Sequence, residues 1–314
     1  GRKRDTTFNS AELFLSVHNR ELHLSNGLTN RSSQSRVYAE AAYSFSRPGA
    51  DGNPRSDEYL NTQWAVSIDD LPIEKIFDQT SDRARASLDV VKPETGVYPV
   101  IVDAEVLATL FNNQVSQLTA ANSYNGLPFI APGEPLIPEA SGDLLTLTLD
   151  PHLGFGADTT PLSDQGIMQK PLKLVERNRV IATATDKRYA DYLGAPATTV
   201  RGNVVVEPGT LSHAELTKQA PLVIEILQFS GLFADPNSGT YSSEIRLAKL
   251  YDNRKGTVTY LKGGSLSGSV RDNFRAARFS KERVKQAHFS SNSMQGHGYY
   301  GPDFALLSDV SIVG

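Results

Sequence analysis

Residues 96–121 read GVYPVIVDAEVLATLFNNQVSQLTAA, and the hydrophobic period changes partway along. Residues 97–102 are almost continuously apolar and rich in β-branched side chains, which predicts a short buried strand. Asp103 follows, and its carboxylate can accept hydrogen bonds from the first free N–H groups of a helix. Beyond it, Leu107, Leu110, Phe111, Val115 and Leu118 recur at spacings of three and four, so the helix buries one face. Asn113 and Gln117 sit one turn apart, and Asn112 lies on the other flank of the stripe. Taken alone, these three are ordinary polar residues beside a core stripe.

Working outward, residues 8–90 read as strands followed by a helix. Leu13, Leu15 and Val17 share one face of an imperfectly alternating run, and Ser25-Asn26-Gly27 marks a turn. Residues 36–46 and 59–68 form further strands around a Pro- and Gly-rich loop at 48–54. Pro72 suits the first turn of a helix, where a missing N–H costs nothing. Ile73, Ile76, Phe77, Ala84 and Leu88 give that helix its apolar side. Residues 122–170 hold many Pro, Gly and Asp and predict an irregular loop, with a strand at 144–149. Two strands, 173–176 and 180–185, meet at Arg177-Asn178-Arg179. A short helix at 187–193 closes on Gly194. Ser212 and Glu215 form a Ser-x-x-Glu capping box after the strand 204–206. Strands follow at 222–229, 241–251, 257–261 and 304–313, with a polar helix around 271–279.

This ordered series of phrases resembles the TldD/PmbA family, over about residues 10–314. The residues that carry the likeness are Arg83-Ala84-Arg85-Ala86-Ser87-Leu88, Lys92-Pro93-Glu94-Thr95-Gly96, the strand and helix at 96–121, the strand, Glu207-Pro208-Gly209 turn and capping box, and Asp235-Pro236-Asn237-Ser238-Gly239-Thr240-Tyr241. Ser163-Asp164-Gln165-Gly166 stands where an Asp-x-Glu-Gly-like phrase is common. The resemblance implies an α+β fold. Residues 1–91 would form a middle strand-and-helix region, and residues 92–314 a β-rich C-terminal domain. Family members carry a further N-terminal region, which the reading expects to be missing here.

In the TldD branch the helix at 104–118 carries a His-Glu-x-x-x-His zinc motif. Laid over this chain, the histidines fall on Asn112 and Gln117 and the glutamate on Asn113. A carboxamide oxygen is a poor zinc ligand, and an asparagine cannot take a proton from water as a glutamate can. The chain therefore looks like the PmbA (TldE) branch, without the metal motif. The resemblance implies a subunit that is not catalytic alone and carries no cofactor, with zinc only in a TldD-type partner. That paralogue would form a heterodimer with it and cut an extended peptide. The alternative is an independent homodimer that binds peptide or another ligand. A third possibility is an enzyme with a different site, for which no residue stands out. Gly296, His297, Tyr299 and Tyr300, in a Gly- and Tyr-rich loop, would line the peptide chamber; a simple surface loop is the plainer reading.

Composition bounds the rest. The chain has 314 residues, 39% hydrophobic and 21% charged, as in ordinary globular domains. A net charge of −4 and a pI near 5.9 give no support to direct nucleic-acid binding. Arg2-Lys3-Arg4 is too short to alter that. There are no cysteines, so disulfides and thiolate metal sites are excluded. In the TldD branch a cysteine near the C-terminus completes the zinc site; the matching neighbourhood, residues 293–301, offers only His297. Among the six histidines none forms a metal-type spacing, although His18 and His23 straddle a predicted turn and could meet there. Residues 263–268 are glycine-rich but lack the Lys-Ser/Thr pair of a phosphate loop and read as turns. No Gly-x-Ser-x-Gly phrase marks a nucleophile. No apolar stretch reaches the roughly 18 residues of a membrane span, and the reading expects a cytoplasmic protein.

Overall fold

A computed structural model of the chain describes residues 5–49, 51–289 and 296–314. The N-terminal part runs β1 (Thr7–His23), β2 (Thr29–Pro48), β3 (Pro54–Ala65), α1 (Ile73–Ala86) and β4 (Val90–Val91). Next come β5 (Gly96–Asp103), α2 (Ala104–Ser116), α3 (Ala120–Tyr124), β6 (Leu147–Asp150), β7 (Leu172–Glu176) and β8 (Arg179–Val180). They are followed by α4 (Lys187–Leu193), β9 (Asn203–Val206), α5 (His213–Leu216), β10 (Leu222–Phe229) and β11 (Phe233–Ala234). The chain ends with β12 (Thr240–Asp252), β13 (Thr257–Leu261), β14 (Ser265–Ser269), α6 (Val270–Asn273), β15 (Arg278–Phe279), β16 (Arg283–Phe289), β17 (Gly296–Pro302) and β18 (Phe304–Val313). Strands dominate and helices are few, so the fold is α+β.

The strands form two sheets. The first has the order β1-β2-β3-β16-β17-β9-β6-β7-β8, so it draws strands from both ends of the chain. The second runs β10-β5-β18-β14-β12-β13-β4, and β10 also pairs with β12. Those pairings close a five-strand ring: β12, β14, β18, β5 and β10. Closure removes the edges that an open sheet would expose. Helix α2 lies between the two sheets, touching β16, β17 and β9 of the first and β5, β18 and β11 of the second. Leu107, Leu110 and Phe111 on it, and Leu118 just beyond its end, are buried in the main core cluster. Helix α1 packs on β2 and β3.

Pro99 interrupts β5 and has no N–H for the ladder. The neighbouring β18 answers with a bulge: its register against β5 shifts between Leu307 and Val310. Asp309 takes a positive φ of 54° there. Asn273 is buried beside the bulge and donates to the carbonyls of Ser308 and Asp309, at 2.8 and 3.0 Å. The bulge therefore leaves no orphan acceptor at these two positions.

The short-range signals form the local structures that the sequence predicts. Asp103 accepts from the N–H groups of Glu105 and Val106, both at 3.2 Å. The Ser212–Glu215 capping box forms, and Gly194 closes α4 in the left-handed region. The β7–β8 turn places Arg177 and Asn178 at positive φ, 45° and 69°. Such a two-residue turn matches strand twist and more often uses Asn-Gly.

Several expectations give way, and the strand predicted at 180–185 shrinks to β8. The glycine-serine stretch 263–269 is mostly strand β14, and the polar helix after it shrinks to the single turn α6 before β15. The loop at 296–301 is strand β17, paired with β16 and β9. His18 and His23 do not meet: they face Gln34 and Thr29 across the β1–β2 ladder. Arg2-Lys3-Arg4 and Ser293-Met294-Gln295 lie outside the described residues. Among the described residues no helix is long and apolar enough to cross a membrane.

Candidate functional site

Helix α2 presents carboxamides to the segment between β11 and β12. Asn113 Nδ2 donates to the Ala234 carbonyl at 3.2 Å. Gln117 Nε2 donates to the carbonyls of Pro236 and Asn237, at 2.7 and 3.1 Å. Gln117 Oε1 in turn accepts from Gln114 Nε2 at 2.9 Å. Asn112 stands apart and donates to the Ala108 carbonyl of its own helix at 2.7 Å. The helix therefore brings Asn113, Gln114 and Gln117 together, with Asn112 outside the group. Leu110, Gly239 and Val270 complete the lining, and no room for a water is left inside.

This arrangement does not fit a zinc ion. A metal ligand must offer a free lone pair, whereas Asn113 and Gln117 point N–H groups at carbonyl oxygens. Gln117 Oε1 is already taken by the Gln114 amide. Among the described residues no three His, Asp or Glu side chains gather into a metal-binding group. The carboxamides instead fasten the loop to the helix. Gln117→Ala would strand two carbonyls and the Gln114 amide, and is expected to cost about 2–3 kcal/mol. Urea unfolding of the variant measures this; an unchanged midpoint would show that the fastening carries no stability.

Strand β17 divides the other four candidates between its two faces. Successive strand residues point to opposite sides, so His297 and Tyr299 share one face and Gly296 and Tyr300 the other. Gly296 and Tyr299 are buried, His297 is exposed and Tyr300 is half-buried. Tyr299 stacks on Phe111 with ring centroids 6.2 Å apart, and its hydroxyl donates to the Pro302 carbonyl at 3.0 Å. Tyr300 lies under the Arg283 guanidinium at 4.1 Å. The four do not make one wall.

The model of the PmbA/TldA metallopeptidase C-terminal domain matches residues 95–314. The chain belongs to the PmbA/TldD family. Its fold is also that of TldE from Thermococcus kodakarensis, at TM-score 0.78 and 17% identity, over 97% of this chain and 69% of that one. A candidate modulator of DNA gyrase from Thermotoga maritima matches at TM-score 0.76 and 20% identity, over 99% of this chain and 70% of that one. A second such protein, from Bacteroides thetaiotaomicron, matches at TM-score 0.66 and 18% identity, over 92% and 62%. No curated protein matches the sequence.

In this PmbA/TldD-family chain the start of α2 carries unusual carboxyls. Burial raises the Asp103 carboxyl, against the pull of its helix N–H bonds. Glu105 reaches solvent, yet the protein around it removes much of its water. That desolvation, with repulsion from Asp103, pushes its carboxyl up to about 7, against the attraction of Arg83. A carboxyl raised in the folded state stabilises fully below its unfolded value, and the contribution is lost as pH rises through 7. Glu105→Gln should therefore be more stable than the parent at pH 8 and no more stable at pH 4.5. Denaturant unfolding at the two pH values tests this, and an equal gain at both would refute it.

Sequence reasoning missed one polar cluster altogether. Glu225, buried on β10, is held by His213 Nε2 at 3.0 Å and by the Tyr251 hydroxyl. Burial would raise its carboxyl, but these bonds outweigh it and hold it below the usual range. An isolated Glu inside the apolar run 222–229 was the available signal, since a buried carboxylate needs partners.

Proposed function

We propose that this chain is a non-catalytic, TldE-like subunit that pairs with a zinc-bearing TldD-type paralogue and helps hold an extended peptide. The observation that carries this reading is the turning of Asn113 and Gln117 toward main-chain carbonyls. The helix that holds the metal in the TldD branch is here a structural strut. The partner would supply the metal-bound water, and this chain would supply shape and wall surface. Residues 1–91 and 92–314 would act as two regions joined through the first sheet. The likeness to the Thermococcus kodakarensis TldE fold supports the assignment to the metal-free branch. The pair would work in the cytoplasm. The net charge of −4 gives no support to direct contact with DNA.

Native mass spectrometry tests the reading, on the chain expressed alone and with its nearest His-Glu-x-x-x-His paralogue. A one-to-one complex with peptidase activity and zinc on the paralogue is expected, with no peptidase activity from this chain alone. Stoichiometric zinc together with peptidase activity in the lone chain would overturn it. A homodimer that ignores the paralogue would favour an independent peptide- or ligand-binding protein.

A further inference from the structure

The β16–β17 ladder pairs His288 directly with His297. The two are nine residues apart in sequence and share no helical or motif spacing, so only the register reveals them. Both side chains are exposed. Directly opposed residues of an antiparallel pair hold their Cβ atoms about 4.5–5.5 Å apart on one face. Zinc–imidazole bonds are about 2.0–2.1 Å long, so two rings leaning together from that separation can reach one ion. The same face carries Tyr299, two residues on, which packs against Phe111 of α2. Gly298 and Gly296, either side of His297, point the other way, where they crowd Asn203 and Phe289. The backbone that carries His297 is therefore firmly seated opposite His288.

We propose that His288 and His297 form a two-histidine site for a borderline divalent cation of the Zn²⁺, Ni²⁺ or Cu²⁺ type. Imidazole nitrogen selects these ions over Ca²⁺ and Mg²⁺, which take oxygen ligands. Among the described residues no third His, Asp or Glu completes the group, so water or an incoming donor would fill the remaining positions. The site belongs to the sheet and uses none of the carboxamides on α2. It stands whether or not the subunit reading holds.

The experiment is calorimetric titration of tag-free full chain with NiCl₂ and with ZnCl₂ at pH 7.5. One equivalent of each metal is expected. His288→Gln and His297→Gln should each weaken binding about tenfold or more, and the double variant should give no saturable binding in the same range. Ca²⁺ should give no heat. As a check independent of variants, metal should protect His288 and His297 of the parent protein from diethyl pyrocarbonate, while His18 and His23 stay reactive. Binding that survives both substitutions, or protection spread evenly over all exposed histidines, would overturn the proposal. Metal bound here without peptidase activity leaves the subunit reading intact, so the two can fail separately.

Discussion

Gly298→Ala is expected to leave a protein that barely folds, although its backbone angle is one any residue can adopt. The cause is space. A Cβ at this position would stand 1.8 Å from Asn203 Oδ1, 2.8 Å from its Cγ and 3.0 Å from the Ala157 nitrogen. Asn203 cannot step aside, because its side chain is fully committed. Its Nδ2 donates to the Asp150 carbonyl at 3.0 Å and the Thr159 hydroxyl at 3.2 Å. Its Oδ1 accepts from the Asp158 N–H at 3.0 Å. The residue is also entirely buried. Room for a methyl group must come from breaking those bonds or moving β17 off β9. Overpacking alone costs about 1–3 kcal/mol, and freeing a buried amide adds about 1–3 more. The sum, about 2–6 kcal/mol, reaches the lower end of the stability of ordinary domains. Thermal melts followed by circular dichroism would show a large fall in midpoint, or insoluble protein. Gly154→Ala, with nothing within 4 Å of the added carbon, serves as the control and should behave as the parent. A Gly298→Ala protein with parental stability would mean that the β17–β9 seam is looser than the geometry requires.

The same glycine explains where sequence reading stopped. Gly296, Gly298 and Gly301 look like loop residues because glycine weakens strands and marks turns. Here two of them are glycines because Asn203 and Phe289, remote or buried neighbours, occupy the space. Nothing within ten residues of Gly298 announces Asn203. Contrast Asp103, Ser212 and Gly194, whose partners lie within three or four residues; all three were legible. Ring closure through β10 and β12 is non-local in the same way as the glycine packing. The α2 site was half legible. Five residues along a helix separate two side chains by about 140°, whereas four separate them by about 40°. Asn112 and Gln117 therefore diverge, while Asn113 and Gln117 converge. What no periodicity could supply is the 234–237 loop that receives them. The resemblance to the TldD/PmbA family supplied the fold where periodicity could not, because an ordered series of phrases carries long-range topology that no single window contains.

Phe111→Ala should be the most damaging single truncation on α2, at about 3–5 kcal/mol. Phe111 is 1% exposed and lies where α2, β15, β17 and Phe274, the residue that ends α6, meet. Its ring centroid is 5.6 Å from that of Phe274, 6.3 Å from Phe279 and 6.2 Å from Tyr299. The Tyr299 pair is nearly parallel, at 7°, and the Phe274 pair is edge-on, at 71°. Both geometries suit the quadrupoles of the rings and add to the area buried. Removing the ring leaves a cavity that those three aromatics cannot fill, because each is anchored on a different element. Phe111→Leu keeps most of the volume and should cost about half as much. Urea unfolding separates the two variants; an Ala variant within about 1 kcal/mol of the parent would show that the site collapses freely. The expected loss reaches beyond stability. Asn112 and Asn113 follow Phe111 directly, and Asn113 and Gln117 hold the 234–237 loop from the same helix. If the aromatic cluster sets the position of α2, the Ala variant should also loosen that loop, seen as faster amide exchange around residues 234–240. The Gln117→Ala variant should loosen the same segment without disturbing Tyr299. Comparing the two separates the part of α2 that is core from the part that has become a clasp.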